Sequence, residues 1–518
     1  MAQKYDKSLI LRILKMSRLF YAFILLFATL NWGQSQTRVT LKKSDLLTSE
    51  VIGGQKIDKI IGDVWLQQGS TDIYCDSAYL FKEDNSAKAF GRVRIIDLKD
   101  SLYLSGDYME YEGNVRIAHM RRNVILKDDS ANLYTNFLDY DRNTGIGYYF
   151  NGGKLVDSTN VLTSKRGYYN TANKEAQFID EVELTNPDYY LESDTLDYST
   201  LNKVAITRGS TLAVSAENDT LTSTVGVEYR SLEKYSEVYY GKILTADYEI
   251  AGDTLIADDS TKYYRGMQNV MLHSFEDSLT IYGNQVIYDK PIDKALAYDE
   301  AYLRKMMNGD SLFIKADTLL SIQNDSIGKY LSAFHQVKMF KSDLQALADS
   351  AAYNLSDSTI YLYESPILWN VDSQITSDSI RITTANNRIH RMYLTLNSFV
   401  ISKDSLLNYN QVKGRDMKVY FEEGLISRAD VFGNGESIYF VNEKGTSESS
   451  MNKLKCSNMS IYFKDTFVEE LRTYREVDGD LIPPFEVLEP EKKLRGFIWR
   501  ITEKPSLASI IRRYRYDR

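Results

Sequence analysis

An Asp or Asn followed four residues later by Tyr recurs from one end of this 518-residue chain to the other, at a spacing near thirty. Intact copies are Asp107/Tyr111, Asn136/Tyr140, Asp194/Tyr198, Asn284/Tyr288, Asp349/Tyr353, Asp416/Tyr420 and Asn458/Tyr462. Copies at Asp76, Lys165, Asp247, Asp317 and Asp378 keep the register with one partner altered, so successive anchors lie 31, 29, 29, 29, 53, 37, 33, 32, 29, 38 and 42 residues apart. The interval of 53 has the length of two rungs with one worn beyond recognition. A fixed period of this size marks stacked supersecondary units rather than one compact enzyme domain.

Each repeat also carries an apolar, any, apolar triplet after a polar or Gly-bearing turn. Val93/Ile95, Val124/Leu126, Val182/Leu184, Val270/Leu272, Val337/Met339 and Ile367/Trp369 occupy these places. Period-two alternation describes a strand with one face on an apolar interior. In a third element, Asp-Ser-Leu leads to the next anchor, at Asp100 to Asp107, Asp277 to Asn284 and Asp310 to Asp317. There Leu102/Leu104, Leu279/Ile281 and Leu312/Ile314 alternate again after the turn. Helical periodicity is not sustained between residues 60 and 465. With 7 prolines and 39 tyrosines, the composition suits long strands with polar faces.

The expected fold class is therefore all-β: an elongated two-sheet β-jellyroll or β-solenoid of stacked antiparallel strands. At about 4.8 Å per strand spacing, a dozen repeats would extend roughly 50 to 90 Å. The same apolar column would repeat along the stack, closed as a dry core or parted along one edge as an open apolar groove. The expected divisions are a signal peptide at 1–35, repeat domains at 36–210 and 211–470, and a basic tail at 471–518.

Lys4, Lys7, Arg12, Lys15 and Arg18 precede the apolar run Leu19 to Leu30, and Gly33-Gln34-Ser35 offers a small-x-small cleavage site. Twelve apolar residues fall short of the roughly 20 that span a bilayer. The segment reads as a cleaved export signal, with an uncleaved anchor as the alternative. Cys75 and Cys456 stand 381 residues apart in different phases of the repeat, which points them to opposite strand faces and argues against a bond. A net charge of −9 argues against nucleic acid as a partner.

The inward column supplies the candidate functional residues: Val93, Ile95, Leu102, Leu104, Val124, Leu126, Val182, Leu184, Val270, Leu272, Val337 and Met339. Branched apolar side chains in a strip can exclude water around an acyl chain, and they can equally pack a closed core. Asp/Asn and Tyr four apart on a strand are about 13 Å distant, too far to form a catalytic couple. They read as scaffolding, with the acid capping a turn and Tyr covering the sheet surface. One acid per rung and four scattered His residues give no support to an enzyme or a metal site. No cofactor is expected. The segment Lys492 to Arg518 interleaves nine Lys and Arg with Phe497, Trp499, Tyr514 and Tyr516. It could meet lipid phosphates or an acidic partner, or stand as a solvated tail.

The Gly91-Arg92-Val93-Arg94-Ile95 strand, the Leu133 to Tyr140 and Leu191 to Tyr198 strands and the thirty-residue beat together resemble the OstA-like, or organic-solvent-tolerance, family. The resemblance covers residues 50 to 465 and is strongest over 60 to 200. With the closing Leu494 to Trp499 block, the layout is most similar to the long OstA-like proteins of the Bacteroidetes. It implies a twisted two-sheet jellyroll whose apolar groove carries lipopolysaccharide acyl chains across the periplasm. The implied partners are other lipopolysaccharide-transport jellyrolls or the outer-membrane translocon, joined by edge-strand stacking. After residue 470 only 48 residues remain, too few for a lipid-spanning barrel. The alternatives are an exported structural or adhesin-like solenoid, and a translocon accessory that binds by strand addition.

Overall fold

The computed structural model describes residues 38–97, 102–307, 309–324, 328–385, 388–442, 449–464 and 467–516. The expected signal at 1–35 and the Asp100-Ser101 turn lie outside the described residues. The described residues form 38 strands, paired antiparallel, with short 3-10 turns and no helix long and apolar enough to cross a membrane. Two compact units divide them: the chain up to Asn151 with Asn170–Ala172, and Gly152–Tyr169 with Asn173 onward. Residue 210, where a boundary was expected, falls inside the strand Val204–Ser215, which pairs with neighbours on both sides.

The first unit holds β1 (Thr40–Lys43), β2 (Leu46–Ile52), β3 (Gln55–Gln68), β4 (Thr71–Phe81), β5 (Ser86–Asp97), β6 (Leu102–Glu112), β7 (Ile117–Lys127), β8 (Asn132–Asp141) and β9 (Ile146–Tyr149). The long strands are broken midway by bulges, at Ile61/Val64, Tyr74/Ser77, Phe90/Val93, Ser105/Tyr108 and Arg121/Val124. A bulge bends a strand and sharpens its twist. The two halves of each strand therefore belong to different ladders. One ladder runs through β2, Ile57–Ile61, Ser77–Phe81, Ser86–Phe90, Tyr108–Glu112, Ile117–Arg121, Phe137–Asp141 and β9. The other runs through β1, Val64–Gln68, Thr71–Cys75, Val93–Asp97, Leu102–Gly106, Val124–Lys127 and Asn132–Thr135. The two expected layers are thus the two halves of the same strands. We call the ladder bearing the Asp/Asn-Tyr ends the tyrosine layer, and the one bearing the V-x-h triplets the valine layer.

The corner between layers has its own sequence. Two successive residues in the left-handed region precede the valine position: Gly62-Asp63, Gly91-Arg92 and Arg122-Asn123 in the first unit, and Asp180-Glu181, Gln268-Asn269 and His335-Gln336 in the second. Side chains other than Gly, Asn and Asp enter this region only at a cost of about 1–2 kcal/mol each.

The second unit repeats the plan through Asp478–Ile482. Here several rungs are two short strands laid end to end. Leu279–Asp289 pairs through one half with Tyr302–Met307 and through the other with Lys294–Tyr298. Long strands such as Gly328–Lys341 and Leu425–Asn442 cross the corner again and tie the ladders together. One apolar cluster runs from Val227 to Ile461 and takes residues from both layers, among them Val270, Leu272, Val337 and Met339 facing Val286, Leu319, Leu331 and Ile360.

The segment expected as a solvated or lipid-facing basic tail is folded onto the outer face of the valine layer of the second unit. Leu494 joins Phe399, Ile401, Ile438, Phe440 and Met451 in a second apolar cluster. Ile510 and Tyr514 join Ala251, Met271, Tyr282 and Tyr302 in a third. Two buried glutamines hold it like backbone partners. Gln411 donates to the Lys492 carbonyl at 2.8 Å and accepts from Leu494 N–H at 2.8 Å. Gln374 donates to the Ile498 carbonyl at 2.7 Å and accepts from Arg500 N–H at 2.7 Å. Arg515 pairs with Asp253 at 2.9 Å, and Tyr516 donates to the Gly252 carbonyl at 3.0 Å. The apolar outer face, not the chain's net charge, decides where this segment lies.

Candidate functional site

All twelve expected groove residues point inward. Val93, Ile95, Leu102, Leu104, Val124 and Leu126 in the first unit, and Val182, Leu184, Val270, Leu272, Val337 and Met339 in the second, are buried, none more than 8% exposed. The groove expected as open is closed over these residues. Packing explains it: a Cβ added at Gly147 of the tyrosine layer would meet Leu126 of the valine layer at 3.3 Å. In the second unit an apolar void of about 10 Å³ lies among Leu303, Ile314, Leu331, Ala351, Tyr353 and Ile360, room for about one water.

The Ile367/Trp369 copy is inverted relative to its expected phase. Its corner is Glu364-Ser365, both left-handed, so Pro366 takes the valine position. The inward residue is then Leu368, a member of the interior cluster.

The anchors cap the corners. Asn136 accepts from Asn123 N–H at 3.2 Å, Asp194 from Ser210 N–H at 3.2 Å, Asp416 from Leu396 N–H at 3.0 Å and Asn458 from Gly433 N–H at 3.0 Å. Others engage a corner side chain: Asp107 accepts from Asn123 Nδ2 at 2.7 Å, and Asp76 pairs with Arg92 at 2.6 Å. The long interval resolves at the same time. Asp253, which accepts from Asn269 Nδ2 at 2.7 Å, is the corner anchor, and Asp247 is not. Thr224 beside the Ser223/Gly226 bulge supplies the worn copy, so the beat runs 194, 224, 253, 284.

The corner also changes where the tyrosines point. In β6, Leu102, Leu104 and Gly106 are buried before the bulge, and Met109 and Tyr111 after it. The bulge reverses the alternation, so Asp107 is exposed while Tyr111, Tyr140, Tyr198 and Tyr353 are buried. These tyrosines were expected on the sheet surface. They reach inward because the period-two rule fails across an inserted residue. Cys75 and Cys456 are likewise both buried and free, instead of facing opposite ways, and burial pushes the Cys75 thiol up to about 12.

Opposite the corners the two layers meet through side chains, and here sequence reading missed a polar set. The inward column continues past V-x-h by one step to a polar residue: Gln68, Asp97, Asp128, Asp157, Asn186. In the first unit Arg142, at the end of the tyrosine layer, pairs with Asp97 of the valine layer at 2.9 Å and donates to Tyr111 Oη at 2.9 Å. Tyr111 in turn donates to Gln68, which donates to the Gly113 carbonyl at 3.0 Å. In the second unit Lys203 pairs with Asp157 at 2.7 Å, and Tyr198 donates to the same carboxylate at 2.5 Å. Tyr189 meets Tyr229 and Tyr248 meets Tyr288 edge-on, with ring centroids 5.3 and 5.6 Å apart. Lys329 pairs with Asp277 at 2.5 Å. Burial opposes charge on Asp157, but the bonds from Lys203 and Tyr198 outweigh it and hold the carboxyl down at about 2. Burial and the neighbouring carboxylate push the Tyr198 hydroxyl far above its ordinary value. The signal for this mouth was present as V-x-h-x-Asp.

Residues 36–194 match the family described as OstA-like protein. That region is similar to OstA-like proteins. The matched stretch includes the first unit's described strands with their corners, inward column and polar mouth. Among solved structures, the chain is similar to LptH from Pseudomonas aeruginosa, described as the LptA homologous periplasmic component of a lipopolysaccharide transport device. The likeness is at 16% identity with a TM-score of 0.20, over 22% of this chain and 79% of that one. No curated protein matches. Among the described residues, no group of three or more His, Cys, Asp and Glu sits where it could hold a metal ion.

Proposed function

We propose that the chain is a non-enzymatic, periplasmic lipid-binding bridge that carries lipopolysaccharide acyl chains toward the outer membrane. The observation that supports this most is the interior: within each unit, a column of apolar side chains repeats rung after rung and carries no charge until it reaches the mouth. Moving a dozen methylenes from water into such an interior would recover about 10 kcal/mol. The closed packing means that loading requires the layers to part. Their weak side is the mouth, because at the corner the backbone of each long strand is continuous.

Partners would join by strand addition. β2 pairs with β3 on one side, and Leu46, Leu47 and Val51 on it are exposed apolar side chains at an edge. The strand Ser449–Lys464 is not such an edge, since it pairs on both sides. On this reading the partners are other lipopolysaccharide-transport β-proteins or the outer-membrane translocon.

Photo-crosslinking in living cells tests the conduit. Probes at Val124, Leu184 and Val270 should capture lipopolysaccharide, while probes at the exposed Leu232 and Val371 should not. Equal capture at both sets, or none at either, would leave a closed structural solenoid as the better reading.

A further inference from the structure

The polar mouth assigns each pair an asymmetric role. Every aspartate in it has donors within its own layer. Asp157 accepts from Thr159 N–H at 2.9 Å and Asn160 N–H at 2.8 Å. Asp97 accepts from Thr71 Oγ1 at 2.7 Å, and Asp277 from Ser274 Oγ at 3.3 Å. The cations come from the other layer: Arg142, Lys203 and Lys329 reach across, each with its side chain no more than 20% exposed. When the layers part, the carboxylates keep local hydrogen bonds, while Arg142 keeps only the Tyr111 hydroxyl, Lys203 loses its carboxylate and Lys329 is left with Asp293 at 3.9 Å. A buried cation without a counter-charge is strongly disfavoured, whereas one transferred to another anion is not. Immediately inside each mouth lies the apolar column, two residues away at Ile95 for Asp97 and at Leu155 for Asp157. A cation that has given up its carboxylate beside an opened apolar slot suits a molecule with an anionic head and an apolar tail.

We propose that Arg142 in the first unit, and Lys203 and Lys329 in the second, form headgroup sites for an amphiphile whose phosphate headgroup is net anionic. In this exchange the headgroup replaces the aspartate on the cation while the tail enters the interior. The inference rests on the conduit reading and adds to it the route of admission and the chemistry recognised. No covalent step is involved.

The test uses the purified full chain and measures binding of three probes by calorimetry: dioctanoyl phosphatidic acid, dioctanoyl phosphatidylcholine and inorganic phosphate. The wild-type chain should bind the acid at least tenfold more tightly than the choline lipid, and phosphate alone far more weakly than either. Arg142→Met, Lys203→Met and Lys329→Met together should abolish the preference, bringing the affinity for the acid down to that for the choline lipid. Asp97→Asn, Asp157→Asn and Asp277→Asn together should raise affinity for the acid severalfold, because the competing carboxylate is gone. A latch that only holds the layers together would instead respond to both sets in the same direction for both lipids, and that result overturns the proposal. Equal binding of the two lipids by the wild-type chain overturns it without any variant, and leaves the conduit standing. Phosphate binding as tight as that of the acid lipid reduces the site to an anion site and also overturns it. Binding of neither lipid sinks the conduit reading itself. Should the methionine set fail to fold, the wild-type preference and the Asn set still decide.

Discussion

At the corner, hydrogen bonds to the neighbouring strands offset backbone strain. Arg122 and Asn123 both sit in the left-handed region, and Asn136 on the next strand caps the turn by accepting the Asn123 N–H. Removing such a cap costs about 1–2 kcal/mol, since a strained turn then loses the partner of its backbone N–H. Asn136→Ala and Asp194→Ala should each lower the free energy of unfolding, measured by denaturant titration, by that amount. Asp247→Ala, which removes a residue with the right spacing but no corner, should leave it within about 0.5 kcal/mol. Equal losses at all three would contradict the assignment of Asp253 as the anchor. The buried pair at Asp157 has a different signature. Its carboxyl is held at about 2, below an ordinary carboxylate value of 3.8, so the folded state is favoured above the ordinary value and the gain disappears as pH falls toward 2. The stability gap between the wild-type chain and Asp157→Asn should stay constant from pH 5 to 8 and narrow below about pH 4. A gap that narrowed near neutrality would point to another group.

Among the elements, what could be read in advance followed from a period. Alternation at Val93/Ile95 and Val124/Leu126 located inward faces, and the thirty-residue beat gave the rungs, because both are local and repeated. The direction of Tyr111 was not legible, since it depends on a bulge that inserts one residue into the count. Nor was the phase at Leu368, where Pro366 fills the valine position and shifts the apparent triplet by one. The mouth was written in the residues, at Asp97 and Asp157, but its cations come from turns about 45 residues later and join only through folding. The C-terminal segment was misread because its composition suggested charge, while its placement depends on Tyr282, Tyr302, Phe399 and Phe440 far upstream. Gln374→Leu and Gln411→Leu should loosen that segment specifically. Hydrogen exchange ought to speed up at Leu494 and Arg500, with the protection of β3 to β8 unchanged; unaltered exchange at both amides would mean that the ring contacts alone suffice.

For the molecule as a whole, repeat architectures ordinarily unfold from their ends, because each rung touches only its neighbours. The second unit departs from this. Residues 492 to 516 touch the strands around Gln411, Gln374, Tyr302 and Asp253 in turn, so this stretch is bonded to rungs synthesised about 80 to 260 residues earlier. Those rungs are thereby joined in a second way besides their ladder bonds, and loosening any one of them strains a tie that runs past all the others. The ribosome delivers the tie after the rungs that it binds. Until then, the aromatic outer face that it covers stays exposed, and the unit behaves as independent rungs. Cooperativity in this part of the chain therefore arrives late and all at once, as a property of closure and not of stacking.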